Sequence, residues 1–435
     1  MLDELRTTAR RFQRERGLRQ VMEGCRRLLS ERGEANSVAI ARELVGRLAT
    51  LDEAQQAAFF EQLSRDFSPD PAAVLERAAA YAKQPSAENL IRLTHTAEPP
   101  RQELLRRLNR APGGTQSLVR LRHALLSRLS RQPELRAVEA DLLHLLSSWF
   151  NPGFLELRRV DWNSPAQLLE QIIRHEAVHA IDGWDDLRRR LQPDRRCFGF
   201  FHPQLPQEPL IFVEVALLPA VPDAIAPLID KKSEPAPVDK ARVAAFYSIS
   251  NCQPGLRGVS LGNFLIKRVA DELQRECPQL RTFCTLSPIP GLAAWLARTT
   301  DIAEAAGLQR GPAQRVREAQ TLLQTLTGGD LGLLADAARL QALDEAGREA
   351  LLRLAAVYLV HASPRPEGDP VARFHLDNGA RLERLNWQAD LSRKGLKQSF
   401  GLMVNYLYDL RSVEAQHEAF THGEVAHARA VAALI

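Results

Sequence analysis

Apolar positions along the chain fall into two regimes. Up to about Phe150 they recur at helical spacing, as in Leu104 to Leu108, then Leu118, Leu121, Leu125 and Leu129, then Leu142 to Phe150. Pro69, Pro71, Pro85, Pro99, Pro100 and Pro112 before Gly113 and Gly114 break the pattern into separate helices. Residues 1–152 are therefore expected to be all helical, and Asn151-Pro152-Gly153 marks a boundary. Beyond it, strand-length apolar runs alternate with amphipathic helices. Strands are predicted at 154–160, 197–201, 210–217, 244–249 and 281–286, with a Pro-rich loop over 219–237. Leu261, Leu265, Val269 and Leu273 recur every fourth residue and predict a helix between the last two strands. A short helix at 291–298 precedes a helical insertion over about 300–362, with breaks at Gly311-Pro312 and Gly328-Gly329. Residues 372–376 and 381–386 then read as a hairpin through Asn378-Gly379, and 400–408 as a last strand. The fold class is α+β.

Composition narrows the partners. The 435 residues suffice for two or three domains, with 45% apolar and 25% charged residues, the balance of an ordinary soluble protein. No apolar run approaches the roughly 20 residues that span a bilayer. Met1 to Gly17 lack the apolar stretch of a secretory signal and carry acidic residues unlike a transit peptide, and no Ser-Lys-Leu address ends the chain. The expectation is a cytoplasmic protein without a membrane partner. A net charge of +4 is too small to imply nucleic acid, yet does not oppose an anionic ligand. Cys25, Cys197, Cys252, Cys277 and Cys284 form no CxxC pair and read as reduced thiols.

Three stretches carry candidate chemistry. The loop from Gln253 to Asn263 follows a strand and feeds a helix, where Gly255, Gly258 and Gly262 would let the backbone approach a pyrophosphate and Arg257 adds charge. A tight connection whose glycines only turn the chain is the alternative. The segment His175-Glu176-Ala177-Val178-His179 is literally HExxH, at the end of a helix that starts after Ser164-Pro165. Such a helix can bind Zn²⁺ given a third ligand downstream, but Asp182, Asp185 and Asp186 come too soon, and packing of both histidines beside Leu168 and Ile172 accounts for the spacing. No metal is expected. The arginines at 188, 189, 190, 195 and 196, like those at 106, 107, 110, 120, 122, 128 and 131, read as solvated faces.

The loop resembles the pyrophosphate loop of the GNAT acyltransferase fold. The longer string Phe246-Tyr247-Ser248-Ile249-Ser250, Gly255-Leu256-Arg257-Gly258-Val259, Leu261 to Val269 and Leu286-Ser287-Pro288-Ile289-Pro290-Gly291 resembles the malonyl-CoA decarboxylase family. So does the block Phe374-His375-Leu376-Asp377-Asn378-Gly379-Ala380 through Asn386-Trp387, Ala389-Asp390 and Gly401-Leu402-Met403. The resemblance implies an N-terminal helical oligomerisation domain over 1–152, giving a homodimer or homotetramer, and a GNAT-like catalytic domain over 153–435. It implies malonyl-CoA as substrate, acetyl-CoA and CO₂ as products, and no cofactor. By the same match His375 and Ser287 are the catalytic pair, and Arg257, Gly258, Val259, Ser260, Leu261, Gly262 and Asn263 bind the CoA moiety, with Ser260 standing where animal relatives carry an acidic residue. Asn386, Tyr406 and Tyr408 are candidates to complete the pocket. The rival functions are a GNAT-type acyltransferase and a non-catalytic CoA-ester sensor.

Overall fold

The computed structural model describes the chain from Leu2 onward, with side chains from Glu15, except for Ser260, Gly262, Asn263, Phe264 and Pro366. Two compact units form, neither continuous in sequence. One comprises Met1–Glu156, Phe201–Pro209 and Gln253–Leu261, the other Leu157–Phe200, Leu210–Cys252 and Gly262–Ile435.

The first unit is built from α1 (Leu2–Ser30), α2 (Glu34–Leu48), α3 (Glu53–Asp66), α4 (Pro71–Lys83), α5 (Ala87–Ala97), α6 (Pro100–Asn109), α7 (Gly114–Leu126) and α8 (Arg136–Trp149). Local chemistry fixes the starts. Asp52 and Gln55 form a capping box on α3, Asp70 caps α4 with Pro71 in its first turn, and Ser86 caps α5. The apolar stripes of α3, α6, α7 and α8 meet in a core containing Phe59, Phe60, Leu63, Leu104, Leu108, Leu118, Leu125 and Leu142, each such side chain stabilising by about 1.5–3 kcal/mol when fully buried. One of the arginines read as solvated is not. Arg122 is buried and donates to the Glu139 carboxylate at 2.6 Å and to the Gly255 carbonyl at 2.7 Å. His202 also belongs to this unit, its ring lying 4.6 Å from that of Phe150 and its Nε2 3.0 Å from the Trp149 carbonyl oxygen.

The second unit is organised on a mixed sheet of β1 (Glu156–Val160), β2 (Arg195–Phe201), β3 (Ile211–Leu218), β4 (Val243–Asn251), β5 (Thr282–Thr285), β6 (Ser287–Pro288), β7 (Arg381–Asn386) and β8 (Met403–Tyr408). The order is β1-β2-β3-β4-β5-β8-β6, with β7 on β8. Strand β3 is antiparallel to both β2 and β4, β4 and β5 are parallel, and β8 is antiparallel to β5, β6 and β7. Strand β2 is buried throughout, its apolar run from Cys197 to Phe201 by composition and Arg195 and Arg196 with carboxylate partners. The helices are α9 (Ala166–His175), α10 (Gly183–Arg190), α11 (Ala226–Ile229), α12 (Leu265–Glu276), α13 (Leu292–Arg298), α14 (Ile302–Ala305), α15 (Arg310–Leu326), α16 (Ala337–Gln341), α17 (Glu345–Val357), α18 (Pro370–Asp377), α19 (Arg393–Ser399), α20 (Val413–Thr421) and α21 (Arg429–Ala432). The helix-then-mixed-sheet organisation agrees with the α+β expectation.

Four local expectations are corrected. The 188–196 arginines do not form a solvated face. Arg188 is exposed, but Arg189 pairs with Asp194 at 2.8 Å, Arg190 with Asp186 at 2.9 Å and Glu214 at 3.0 Å, Arg195 with Asp194 at 2.8 Å and Arg196 with Glu276 at 2.6 Å, all four guanidinium groups being buried. Gly311-Pro312 does not break a helix but lies in the first turn of α15, where a proline removes no helical hydrogen bond. The 372–376 strand is a helix, α18. Asp369 caps it and Pro370 occupies its first position, while Asn378-Gly379 ends the helix instead of turning a hairpin. Gly379 takes φ 73°, its N–H donates to the Leu376 carbonyl, and the Ala380 N–H donates to the His375 carbonyl, a Schellman termination. Finally, the last strand starts at Met403, because Phe400 takes a left-handed φ of 52° at the end of α19.

Candidate active site

The site grows out of the place where two parallel strands part. Register between β4 and β5 runs only from Val243 opposite Thr282 to Phe246 opposite Thr285, closed by the Leu286 N–H on the Phe246 carbonyl. Ser287 then leaves to pair with Val404 of β8, while β4 continues along β3 to Asn251. A cavity of about 270 Å³ opens between them. Its walls are Phe246 to Ile249 and Asn251 of β4, Ser287 and Pro288, and Pro370, Val371, Phe374 and His375 of α18, with Val178 and Ile211. No lining side chain bears a formal charge at neutral pH, and most are apolar.

Two polar groups of the wall, Ser287 and His375, belong to one hydrogen-bonded chain. Ser287 Oγ lies 2.9 Å from His375 Nε2 and 2.9 Å from Thr285 Oγ1. His375 Nδ1 lies 2.8 Å from the Tyr408 hydroxyl, and the Tyr406 ring stacks on the imidazole at 4.6 Å. Helix α18 brings in His375, β6 Ser287 and β8 both tyrosines, so elements distant in sequence converge on one ring. Burial pushes the His375 imidazole down to about 3 and holds the Tyr408 phenol well above its usual range, so both are neutral at pH 7. A neutral ring carries one N–H. In one tautomer Nε2–H donates to Ser287, which donates to Thr285, and Nδ1 accepts from Tyr408; in the other all three bonds reverse, Thr285 donating to Ser287 and Ser287 to Nε2. Either way Tyr408, His375, Ser287 and Thr285 stay connected, an arrangement that passes a proton along itself rather than storing one.

The other sequence candidates fall elsewhere. Asn386 is not on the cavity wall; its amide donates to Asn405 Oδ1 at 2.9 Å and accepts from Arg384 at 2.8 Å, while Asn405 donates to the Thr285 carbonyl at 2.8 Å. It braces the strands behind Ser287. Arg257, Gly258, Val259 and Leu261 belong to the first unit, where Arg257 and Gly258 are exposed and Val259 and Leu261 buried. Ser260, Gly262 and Asn263 lie outside the described residues. Gly255 is not free to meet an anion, since a Cβ there would sit 2.0 Å from the Val119 carbonyl oxygen. At that position the glycine serves close packing on α7, whereas exposed Gly258, at φ 83°, keeps its backbone open.

The HExxH pentapeptide is not helical. α9 stops at His175, and Glu176 turns away with its carboxylate accepting from the Ser248 hydroxyl at 2.7 Å, the Ser250 hydroxyl at 3.2 Å and the N–H groups of Val178 and His179. The two histidines therefore do not share a helical face, and among the described residues no cluster of three His, Cys, Asp or Glu side chains is placed to hold a metal. Glu176 instead fastens a strap that puts Val178 on the cavity wall.

Comparison with known proteins adds the family. Residues 153–435 match the model of the malonyl-CoA decarboxylase C-terminal domain, and residues 67–150 that of its N-terminal domain. The chain belongs to the malonyl-CoA decarboxylase family. A relative from Rattus norvegicus, named mitochondrial malonyl-CoA decarboxylase, is 38% identical over 382 residues, covering 82% of this chain and 77% of the rat protein. The crystal structure of malonyl-CoA decarboxylase from Rhodopseudomonas palustris matches with a TM-score of 0.85 at 49% identity, over 95% of this chain and 98% of that one. The one from Agrobacterium vitis gives 0.82 at 48%, over 95% and 99%. In this member of the malonyl-CoA decarboxylase family the sequence alone missed Thr285, Glu176 and Asp369. Thr285 had a visible signal, since it precedes Ser287 by two residues and shares its side of an extended segment. So did Asp369, because Asp before Pro is a helix start.

Proposed function

We propose that the protein decarboxylates malonyl-CoA to acetyl-CoA and CO₂, with Ser287 and His375 as the groups that act at the reacting carbon. The observation that carries this is the 2.9 Å contact of Ser287 with His375 on the wall of an apolar cavity, in a chain of this family. Loss of CO₂ leaves a thioester enolate, so a site must align the breaking bond with the carbonyl, meet the charge growing on oxygen and return a proton to carbon. An uncharged apolar wall raises the energy of a carboxylate relative to neutral CO₂ and so favours its departure. Ser287 and His375 then supply the proton, since a neutral imidazole or hydroxyl is acid enough toward an enolate carbon, and Tyr408 refills the ring from its far side. The decarboxylation involves no acyl-serine.

The parting of β4 and β5 supports a GNAT-like course for the acyl chain, and Arg257, Gly258 and Val259, with Ser260, Leu261, Gly262 and Asn263, are assigned to the CoA moiety on the resemblance. Oligomerisation through the 1–152 helices, and a cytoplasmic location beside relatives named mitochondrial, complete the proposal. Among the described residues no helix is long and apolar enough to cross a membrane.

Chelator-treated protein given malonyl-CoA and no acceptor should release CO₂ and acetyl-CoA in equal amounts. Binding without product would favour a sensor, and product only with an amine acceptor would favour a transferase. His375→Ala and Ser287→Ala should each lower kcat by about 10²- to 10⁴-fold while CoA-ester binding persists, and Arg257→Ala should chiefly raise KM. Near-normal turnover by His375→Ala would refute the assignment of the proton path.

A further inference from the structure

Ser287 and His375 stand on separate elements, and a hydrogen bond between two side chains does not by itself fix those elements in register. Among the described residues, Asp369 bonds to both segments. Asp369 is fully buried, and its carboxylate accepts three hydrogen bonds, all from backbone N–H groups. Oδ1 accepts from Val371 at 3.0 Å and Ala372 at 3.0 Å, which caps the helix carrying His375. Oδ2 accepts from Gly291 at 2.9 Å, in the turn that leaves Ser287-Pro288-Ile289-Pro290 and opens α13. An N-cap needs only one side-chain oxygen. The second oxygen is committed to the segment that carries Ser287.

The neighbourhood is shaped for that contact. A Cβ on Gly291 would lie 2.1 Å from the Tyr358 hydroxyl and 3.2 Å from Asp369 Oδ2, so only glycine lets the turn come this close. Tyr358 is in turn held by its ring against Trp295 of α13, at 4.8 Å between centroids. Pro370 and Val371 reach the cavity wall, whereas Asp369 does not. Its carboxylate faces backbone and lies behind the reacting groups.

We propose that Asp369 is a positioning residue that clamps the Ser287 segment to the His375 helix and so keeps the two side chains in reach of each other, an inference that rests on the decarboxylase reading above. Asp369→Asn keeps the shape and one cap oxygen but turns an N–H₂ toward the Gly291 N–H. Asp369→Ser keeps a cap oxygen and is too short to reach Gly291. A misplacement of about 1 Å suffices for losses of about 10²-fold, so both variants should lose about 10- to 100-fold in kcat, with KM for malonyl-CoA changed less than about threefold.

The decisive measurement is a double-mutant cycle on the full chain. If the aspartate acts through the pair, Asp369→Asn should lower kcat in the wild-type background and add almost nothing in the Ser287→Ala background. Unchanged kcat in both Asp369 variants would overturn the proposal. So would an equal loss in both backgrounds that follows the fall in Tm, since that marks general support of the fold. A wild-type protein that releases no CO₂ from malonyl-CoA would overturn the functional reading itself, and the inference with it. A turning-over wild type with an unimpaired Asn variant would overturn the inference alone.

Discussion

Two buried histidines hold their rings neutral, and that couples folding to pH. Burial lowers His375 to about 3 and His179 to about 4, against the ordinary value near 6.5. Between those values the unfolded chain binds protons that the folded chain refuses. The associated stability is complete above about pH 6.5 and declines as the pH falls, by about 1.4 kcal/mol per pH unit for each histidine. His375→Asn and His179→Gln should each flatten the acid limb of a plot of denaturant midpoint against pH, by close to one proton. An unchanged slope would mean that the ring is protonated in the native protein. Arg190 makes the opposite kind of demand. Its partners Asp186 and Glu214 are also buried, so Arg190→Ala should destabilise by about 3–5 kcal/mol, whereas an apolar replacement of Arg190 together with Glu214 should recover much of the loss.

Elements built from periodic apolar residues were legible in the sequence; those decided by a partner far along the chain were not. Strand β4, helix α12 and strand β5 follow from spacing alone, and each begins or ends within a few residues of its expected position. The arginine run misled because two of its counter-charges, Glu214 and Glu276, lie far along the chain, and nothing local says that the nearby Asp186 and Asp194 will be buried with their arginines. Asn378-Gly379 misled because the left-handed backbone that turns a hairpin also terminates a helix; the deciding residue was Asp369 at the other end. Ser287 and His375 were identifiable only by family resemblance, and no pattern placed them 2.9 Å apart. Gly379→Ala tests the corrected element. With φ at 73° and a would-be Cβ 2.1 Å from the Val413 carbonyl, it should cost more than the roughly 1–2 kcal/mol of a left-handed residue alone. Glu176→Ala tests the strap: release of its hydrogen bonds should cost about 3 kcal/mol and raise KM, because Val178 leaves the cavity wall.

At the scale of the molecule the two family domains abut at residues 150 and 153, yet the compact units do not divide there. Phe201–Pro209 and Gln253–Leu261 lie among the N-terminal helices, the first through His202 on Phe150 and the Trp149 carbonyl, the second through Gly255 on Val119 and Arg122. A fragment starting at residue 153 would contain every residue of the Ser287–His375 cavity and still strip both insertions of their seat, exposing Leu256, Val259 and Leu205, which are buried in the whole chain. Such a fragment should aggregate, and if refolded should lose CoA-ester affinity before it loses the Ser287–His375 geometry. The boundary visible in sequence is thus a place where the chain changes architecture without being a place where the protein can be severed.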